Sequence, residues 1–269
     1  MVYSIFRKKH HQSSLKAPSP IISSPSPINQ ERSFLPTALA DCKHEQHGTQ
    51  TKLASELLRR NHNWADQVMI HEPHFFNECA KGQHPKILWI GCADSRVPPE
   101  QIVSCAPGDI FVHRNIANVC LFSDLNSLSV IQYAVEVLKV EEIVVCGHYG
   151  CGGVKAAMEN HSYGLIDNWL TNVKSVYQSK KQWLDGLEQT EREALMIEFN
   201  VINSLHILCQ TPVIQSAWSR GQLITVHGWS YNIENGRICD LNARVASPDD
   251  VEKVYWEAFQ TKIQCKVNR

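Results

Sequence analysis

Several things are missing from this chain, and each absence narrows it. No apolar run approaches the roughly 18–20 residues that a membrane-spanning helix needs, so no membrane is expected as a partner. Net charge is nearly absent too: 26 Lys and Arg stand against 27 Asp and Glu, leaving −1. No global field then draws the chain to nucleic acid or to an anionic surface. The apolar stretch of a secretory signal is lacking, so the ten cysteines read as thiols rather than as a disulfide framework. They are scattered, and Cys105, Cys120, Cys146 and Cys209 sit inside apolar segments, as buried thiols do. That pattern points to a reducing compartment, and the expected location is the cytoplasm. No internal repeat divides the 269 residues, whose 43% hydrophobic content suits one substantial core with an appendage.

Three stretches differ in character. Residues 1–48 hold basic Arg7-Lys8-Lys9 and the Ser/Pro run Ser23-Ser24-Pro25-Ser26-Pro27, with no acidic residue before Glu31. Such a segment buries too little to offset its chain entropy and reads as a disordered arm. The alternative is a mitochondrial targeting segment, although its prolines and few arginines weaken the amphipathic helix that requires. Residues 49–82 read as a helical arm: Leu53, Leu57 and Leu58 share a face, Trp64, Val68 and Met69 follow, and Pro73 interrupts. Those apolar residues need something to pack on, either their own domain or a second subunit.

Residues 83–269 form the main domain. Lys86–Gly91, Ile110–Val112 and Ile143–Cys146 read as strands. Between the last two, Leu125–Lys139 is a helix with Leu128, Ile131, Val135 and Leu138 on its apolar face, started by Asp124, Asn126 or Ser127. Strand, crossover helix and strand mean parallel pairing. Helices follow at 154–159, 166–178 and 192–208. A strand over Leu223–Trp229, a turn at Glu234-Asn235-Gly236 and a returning strand over Ile238–Leu241 come next. A last helix starts at Ser247 or Pro248. The expected fold is α/β, a mainly parallel sheet flanked by helices.

In open α/β sheets, ligands bind beyond the carboxyl ends of the strands. Cys92 ends the first strand, and His148 and Cys151 follow the third, so all three meet on one rim. Glycines at 91, 147, 150, 152 and 153 leave room for tight turns there. Two thiolates and an imidazole neutralise Zn²⁺ and leave a fourth position open, as in catalytic rather than structural zinc sites. Strand alternation turns Cys146 away, and His113 is the nearest other contender. Asp94, two residues past Cys92, is in reach of the metal or its water. Arg96 can grip that carboxylate through its planar fork, which keeps it ionised and able only to accept hydrogen bonds. The turn Gly147–Gly153 lacks the Gly-Lys-Ser/Thr ending of a phosphate loop, so no nucleotide is expected.

Cys92-Ala93-Asp94-Ser95-Arg96, Pro107-Gly108-Asp109-Ile110-Phe111-Val112-His113-Arg114-Asn115-Ile116-Ala117-Asn118 and His148-Tyr149-Gly150-Cys151-Gly152-Gly153 closely resemble the motifs of β-class carbonic anhydrases. The resemblance runs from about Leu57 to Ala258. It implies reversible hydration of carbon dioxide to bicarbonate and a proton, by attack of a zinc-bound hydroxide that an Asp94–Arg96 dyad orients. It implies one Zn²⁺ per subunit on Cys92, His148 and Cys151. It also implies an N-terminal helical arm packed on a partner subunit, in a homodimer or homotetramer. One branch of the family carries a non-catalytic bicarbonate pocket that stabilises an inactive state, and its signature positions here hold Trp89, Arg114 and Tyr231. In that state the Asp leaves its Arg and takes the fourth zinc position. Two alternatives keep the same ligands: a zinc hydrolase acting on carbon disulfide or carbonyl sulfide, and a non-catalytic zinc-stabilised interaction protein. In the latter, Asp94 would be a permanent ligand. Tyr149 and nearby histidines are candidate proton relays, and no sequence feature selects among them.

Overall fold

The computed structural model describes residues 52–267. The segment expected as a disordered or targeting arm lies outside them. The chain divides into a unit ending at Arg59 and a unit from Arg60 to Arg269 that contains the sheet.

Five strands build that sheet: β1 (Ile87–Cys92), β2 (Ile110–Asn115), β3 (Glu142–His148), β4 (Thr225–Asn232) and β5 (Arg237–Val245). Their order is β2-β1-β3-β4-β5. The first four pair in parallel, and β5 returns antiparallel to β4. The sequence accounts for both arrangements. β1 and β3 carry unbroken apolar runs, Ile87-Leu88-Trp89-Ile90 and Ile143-Val144-Val145, and strands of that kind are buried on both faces. β5 is largely exposed and polar toward its end at Arg237, as an edge strand tolerates. Its reversal from β4 closes at Gly236, which has φ +71° and donates its N–H to Asn232 O at 2.8 Å.

The helices are α1 (Lys52–His71), α2 (Phe75–Cys79), α3 (Pro99–Ile102), α4 (Leu125–Gln132), α5 (Gly152–Met158), α6 (Ile166–Leu184), α7 (Gln189–Gln210), α8 (Pro212–Ser219) and α9 (Val251–Val267). Among the described residues, no helix is long and apolar enough to cross a membrane. α7 is the central one. Val201, Ile202, Leu205 and Leu208 pack on Leu88, Ile90, Ile143 and Val145 from the sheet, with Ile131 and Val135 of the crossover beside them. Trp89, Val144 and Cys146 face the other way, where Trp229, Tyr231 and Ile238 meet them. A third cluster surrounds the strand ends: Val154, Leu170, Val173, Leu195, Met196 and Phe199 wall in Cys92 and Cys151.

α7 approaches β3 so closely that residue 147 must be glycine. A Cβ there would lie 2.6 Å from Val201 Cγ2 and 3.4 Å from Ile197 Cγ2. Any side chain would push apart the helix and the strand end that carries His148.

The structure departs from the sequence expectations in several places. β2 runs on through His113 and Arg114 to Asn115 instead of stopping at Val112. Those polar residues hide the strand because they break the apolar run that marks it. The crossover helix has the expected extent, and the Asp124 carboxylate caps it by accepting from Asn126 N at 3.1 Å. Its second half, Tyr133–Leu138, widens to a π-helix that ends at left-handed Lys139. One of its carbonyls, that of Val135, accepts from Gln222 Nε2 at 3.0 Å. α3 and α8 were not anticipated; α8 starts on Pro212, whose fixed φ suits a first helical position. Cys105 is only partly buried, whereas Cys120, Cys146 and Cys209 are buried as expected. α1 buries none of its residues, and Leu53, Leu57, Leu58, Trp64, Met69 and Ile70 are exposed.

Candidate metal centre

Parallel pairing places the site. β1 and β3 align Gly91 with Cys146, so their carboxyl ends reach the same rim. Cys92 is the last residue of β1 and His148 the last of β3. Gly150, at φ +73°, then turns the chain back, and Cys151 caps the start of α5. The result is three buried ligand atoms within 4.8 Å of one another. Among the described residues, no other group of His, Cys, Asp and Glu gathers in this way.

These residues fit a zinc ion. The Cys92 and Cys151 sulfurs are 3.9 Å apart. Two Zn–S bonds of about 2.3 Å at the tetrahedral angle separate sulfurs by roughly 3.8 Å. His148 is fully buried, and its Nδ1 donates to Tyr149 O at 3.1 Å. That tautomer leaves the Nε2 lone pair free, and Nε2 has no hydrogen-bond partner. A buried nitrogen left unpaired beside two thiols is costly unless a cation takes it. The two sulfurs share a hydrogen bond, which holds one thiol, Cys92, below the ordinary range and pushes the other, Cys151, above it. Cys146 points away, its thiol donating to Gly147 O, and His113 lies apart beside Asn115.

Beside the three ligands stands a carboxylate in a fixed pose. Asp94 Oδ1 accepts from the backbone N–H and Nε of Arg96, both at 2.9 Å, and Oδ2 accepts from the Arg96 guanidinium at 2.7 Å. The Arg96 hydrogen bonds hold the Asp94 carboxyl well below the usual carboxylate range. Oδ2 sits 3.8 Å from His148 Nε2.

A family model described as "Carbonic anhydrase" matches residues 87–238. The chain is 43% identical over 204 residues to a carbonic anhydrase of Emericella nidulans, covering 74% of this chain and 89% of that protein. Among solved structures, a Coccomyxa β-carbonic anhydrase superposes with a TM-score of 0.73 at 35% identity, over 79% of this chain and 99% of the other. Tetrameric β-carbonic anhydrases of Sordaria macrospora give 0.70 at 40% identity, over 73% and 100%. The chain belongs to the β-carbonic anhydrase family. It is a zinc enzyme of carbon dioxide hydration, as its resemblance implied.

The three remaining positions singled out in the sequence lie on one face of this carbonic anhydrase's sheet. Trp89 is two residues before Gly91, which pairs with Arg114, and Tyr231 pairs with His148. Trp89 is buried, and its Nε1 has no partner. Arg114 reaches back to the metal loop, donating to Cys92 O at 2.8 Å and to Asp94 O at 2.5 Å. A cavity of about 470 Å³ opens near Arg96, Tyr149, Gly150 and Asn232.

Two further residues near the site, Glu198 and Lys262, carry no signal in the sequence. Tyr149 OH donates to Glu198 Oε1 at 2.6 Å, and Lys262 Nζ lies 3.4 Å from Glu198 Oε2. Ala117, in the turn that follows β2, adopts φ +64°. Those partners come from α7 and α9, far along the chain, and only the fold brings them in.

The enzyme's other thiols separate by burial. Burial pushes Cys120 and Cys146 up to about 12, and raises Cys209 as well. About one in ten thousand of a thiol at 12 is thiolate at pH 8. With a thiol-specific chromogenic disulfide at pH 8 and peptide mapping, exposed Cys79 and Cys239 react promptly. Cys120, Cys146 and Cys209 stay unmodified until denaturant is added; prompt labelling of any of the three would contradict the buried assignment.

Proposed function

We propose that Cys92, His148 and Cys151 hold the zinc of this carbonic anhydrase and that the Asp94–Arg96 dyad orients the attack on carbon dioxide. The observation that carries this reading is the doubly bonded Asp94 carboxylate 3.8 Å from the orphaned nitrogen of His148. Zinc, when bound, lowers the pKa of a water ligand to about 7 and so supplies a nucleophile near neutral pH. The protein's own part is orientation. Three hydrogen bonds from Arg96 fix Asp94 and keep it charged, so its free lone pair can only accept. A nucleophile beside it must turn its hydrogen toward Asp94 and its lone pair toward the substrate. Arg114 holds the carbonyls on either side of Ala93, which keeps Asp94 from drifting with its loop. Carbon dioxide is uncharged, and the apolar wall around the ligands suits it better than it suits water.

Asp94→Asn keeps the shape and loses the charge. Stopped-flow hydration is expected to fall by about 10²-fold or more, the range for a positioned acid–base group, with zinc still near one per chain. Cys151→Ser is expected to lose the zinc itself. Full activity in Asp94→Asn, or in chelated enzyme free of zinc, would sink the reading.

We infer an assembly as well. Support comes from α1, which exposes a row of large apolar side chains and buries none. The tetrameric Sordaria relatives point the same way. Light scattering of the full chain should return two or four times 30.5 kDa; a monomer at micromolar concentration overturns this.

We further infer that Trp89, Arg114 and Tyr231 line a bicarbonate pocket that damps activity. Their common sheet face and the buried, unpartnered Trp89 donor support it. Added bicarbonate should then slow carbon dioxide hydration beyond simple product reversal, and Trp89→Phe should relieve that excess. Equal inhibition of both proteins would rule the pocket out.

A further inference from the structure

Tyr149 is hydrogen-bonded through its N–H, its carbonyl and its phenol, and the carbonyl's partner is a candidate metal ligand. That carbonyl lies 3.1 Å from His148 Nδ1. A carbonyl can only accept, so this bond sets the proton on Nδ1 and leaves Nε2 bare. The Tyr149 N–H donates to Tyr231 O of β4 at 3.0 Å, which fixes the peptide plane before it. The phenol donates to Glu198 Oε1 of α7 at 2.6 Å, which fixes the direction of the side chain. With that plane and that direction both held, φ of Tyr149 is set, and only ψ is left to swing the carbonyl. Gly150 follows at φ +73°, and a glycine offers such a swing little resistance. Glu198 is itself held from the far side. Lys262 Nζ of α9 lies 3.4 Å from its Oε2, and the two side chains are only 15% and 14% exposed. Lys180 of α6 pins α9 in turn, its ammonium 3.8 Å from the Phe259 ring centre.

We propose that Glu198 is a positioning residue of the metal centre: by holding the Tyr149 phenol, it steadies the carbonyl that keeps His148 in its ligating tautomer. The proposal rests on His148 being a zinc ligand. The partner of a ligating histidine's other ring nitrogen sets the ring's orientation and donor strength. Here that partner is a backbone carbonyl, so its place depends on the residue that carries it. Without the Glu198 acceptor, the phenol turns toward water in the cavity that Tyr149 borders. φ of Tyr149 is then freed along with ψ. The carbonyl holds the Nδ1 proton for a smaller share of the time, and the imidazole is less firmly aimed.

Glu198→Ala removes the acceptor. Chelator competition should show its zinc dissociation constant raised about tenfold, the low end for partners of metal ligands. The second reading is confined to His148. In cobalt-substituted holoenzyme, the Nδ1 proton of the ligating histidine resonates far downfield and is lost in heavy water. Its exchange rate reports the bond to Tyr149 O, and exchange should be faster in Glu198→Ala. Tyr149→Phe removes the same bond from the other side, so it should match Glu198→Ala, and the double variant should be no worse than either. Lys262→Met loosens α9 but leaves the acceptor, and should speed exchange less than Glu198→Ala does. Wild-type exchange in Glu198→Ala overturns the proposal, whatever the zinc affinity, since weaker binding alone marks general loosening. Exchange in Lys262→Met as fast as in Glu198→Ala overturns it too, because helix packing and not the hydrogen bond would then control His148. Should Glu198→Ala fail to fold, Tyr149→Phe decides by the same two readings. A wild-type cobalt protein with no such exchangeable proton would instead overturn the ligand assignment beneath the proposal.

Discussion

The parallel register of β1 against β3 is the constraint on which the rest depends. It sets Gly91 beside Cys146, and so delivers Cys92 and His148 to one rim although 56 residues separate them. A one-residue slip would turn every side chain of β1 to the opposite face. Trp89 would enter the α7 core and Ile90 would leave it. The buried runs Leu88–Ile90 and Ile143–Val145 therefore do two jobs. They stabilise the sheet through burial, about 1.5–3 kcal/mol for each large side chain. They also set the separation of ligands that lie just past their ends.

Burying two thiols, an imidazole and a carboxylate together needs compensating charge, and the site has it in layers. Zinc, when bound, would answer the two thiolates. Arg96 answers Asp94 with three hydrogen bonds. Arg114 answers no carboxylate; it neutralises backbone carbonyls of the same loop. That difference separates the two arginines in kind. Arg96 sets the charge and pose of the Asp94 carboxylate. Arg114 controls the shape of the loop that carries it, and so couples the edge strand β2 to the site.

Much of this was legible in the sequence for physical reasons. Apolar runs without alternation mark buried parallel strands, and glycines at 147, 150 and 153 mark close approaches and turns. Ligand-type residues at strand ends mark a rim site. What escaped was anything encoded by contact across the fold. The end of β2 was missed because His113 and Arg114 break the apolar pattern, Arg114 to hold the loop that carries Asp94. The π-helical half of the crossover has apolar spacing that a regular helix would share. Asn200 reads as one polar residue in a long helix. Its value appears only when α7 lies against the turn 83 residues upstream.

α7 emerges as the element that joins stability to chemistry. Its apolar face, Val201 to Leu208, packs the sheet. Glu198 and Asn200, midway along α7, reach Tyr149, next to His148, and Ala117, in the turn that follows β2. α9 continues the chain of support. Lys262 pairs with Glu198, and Phe259 packs on Phe199 with ring centroids 4.7 Å apart. Lys180 of α6 locks α9 from the other side, its ammonium 3.8 Å from the Phe259 ring centre and donating to Tyr255 OH at 3.1 Å. A cation among aromatic faces, shielded from water, holds its geometry well. The ligand atoms thus owe their positions to helices that contribute no ligand, which is why so little of that support can be read from the metal-binding motifs themselves.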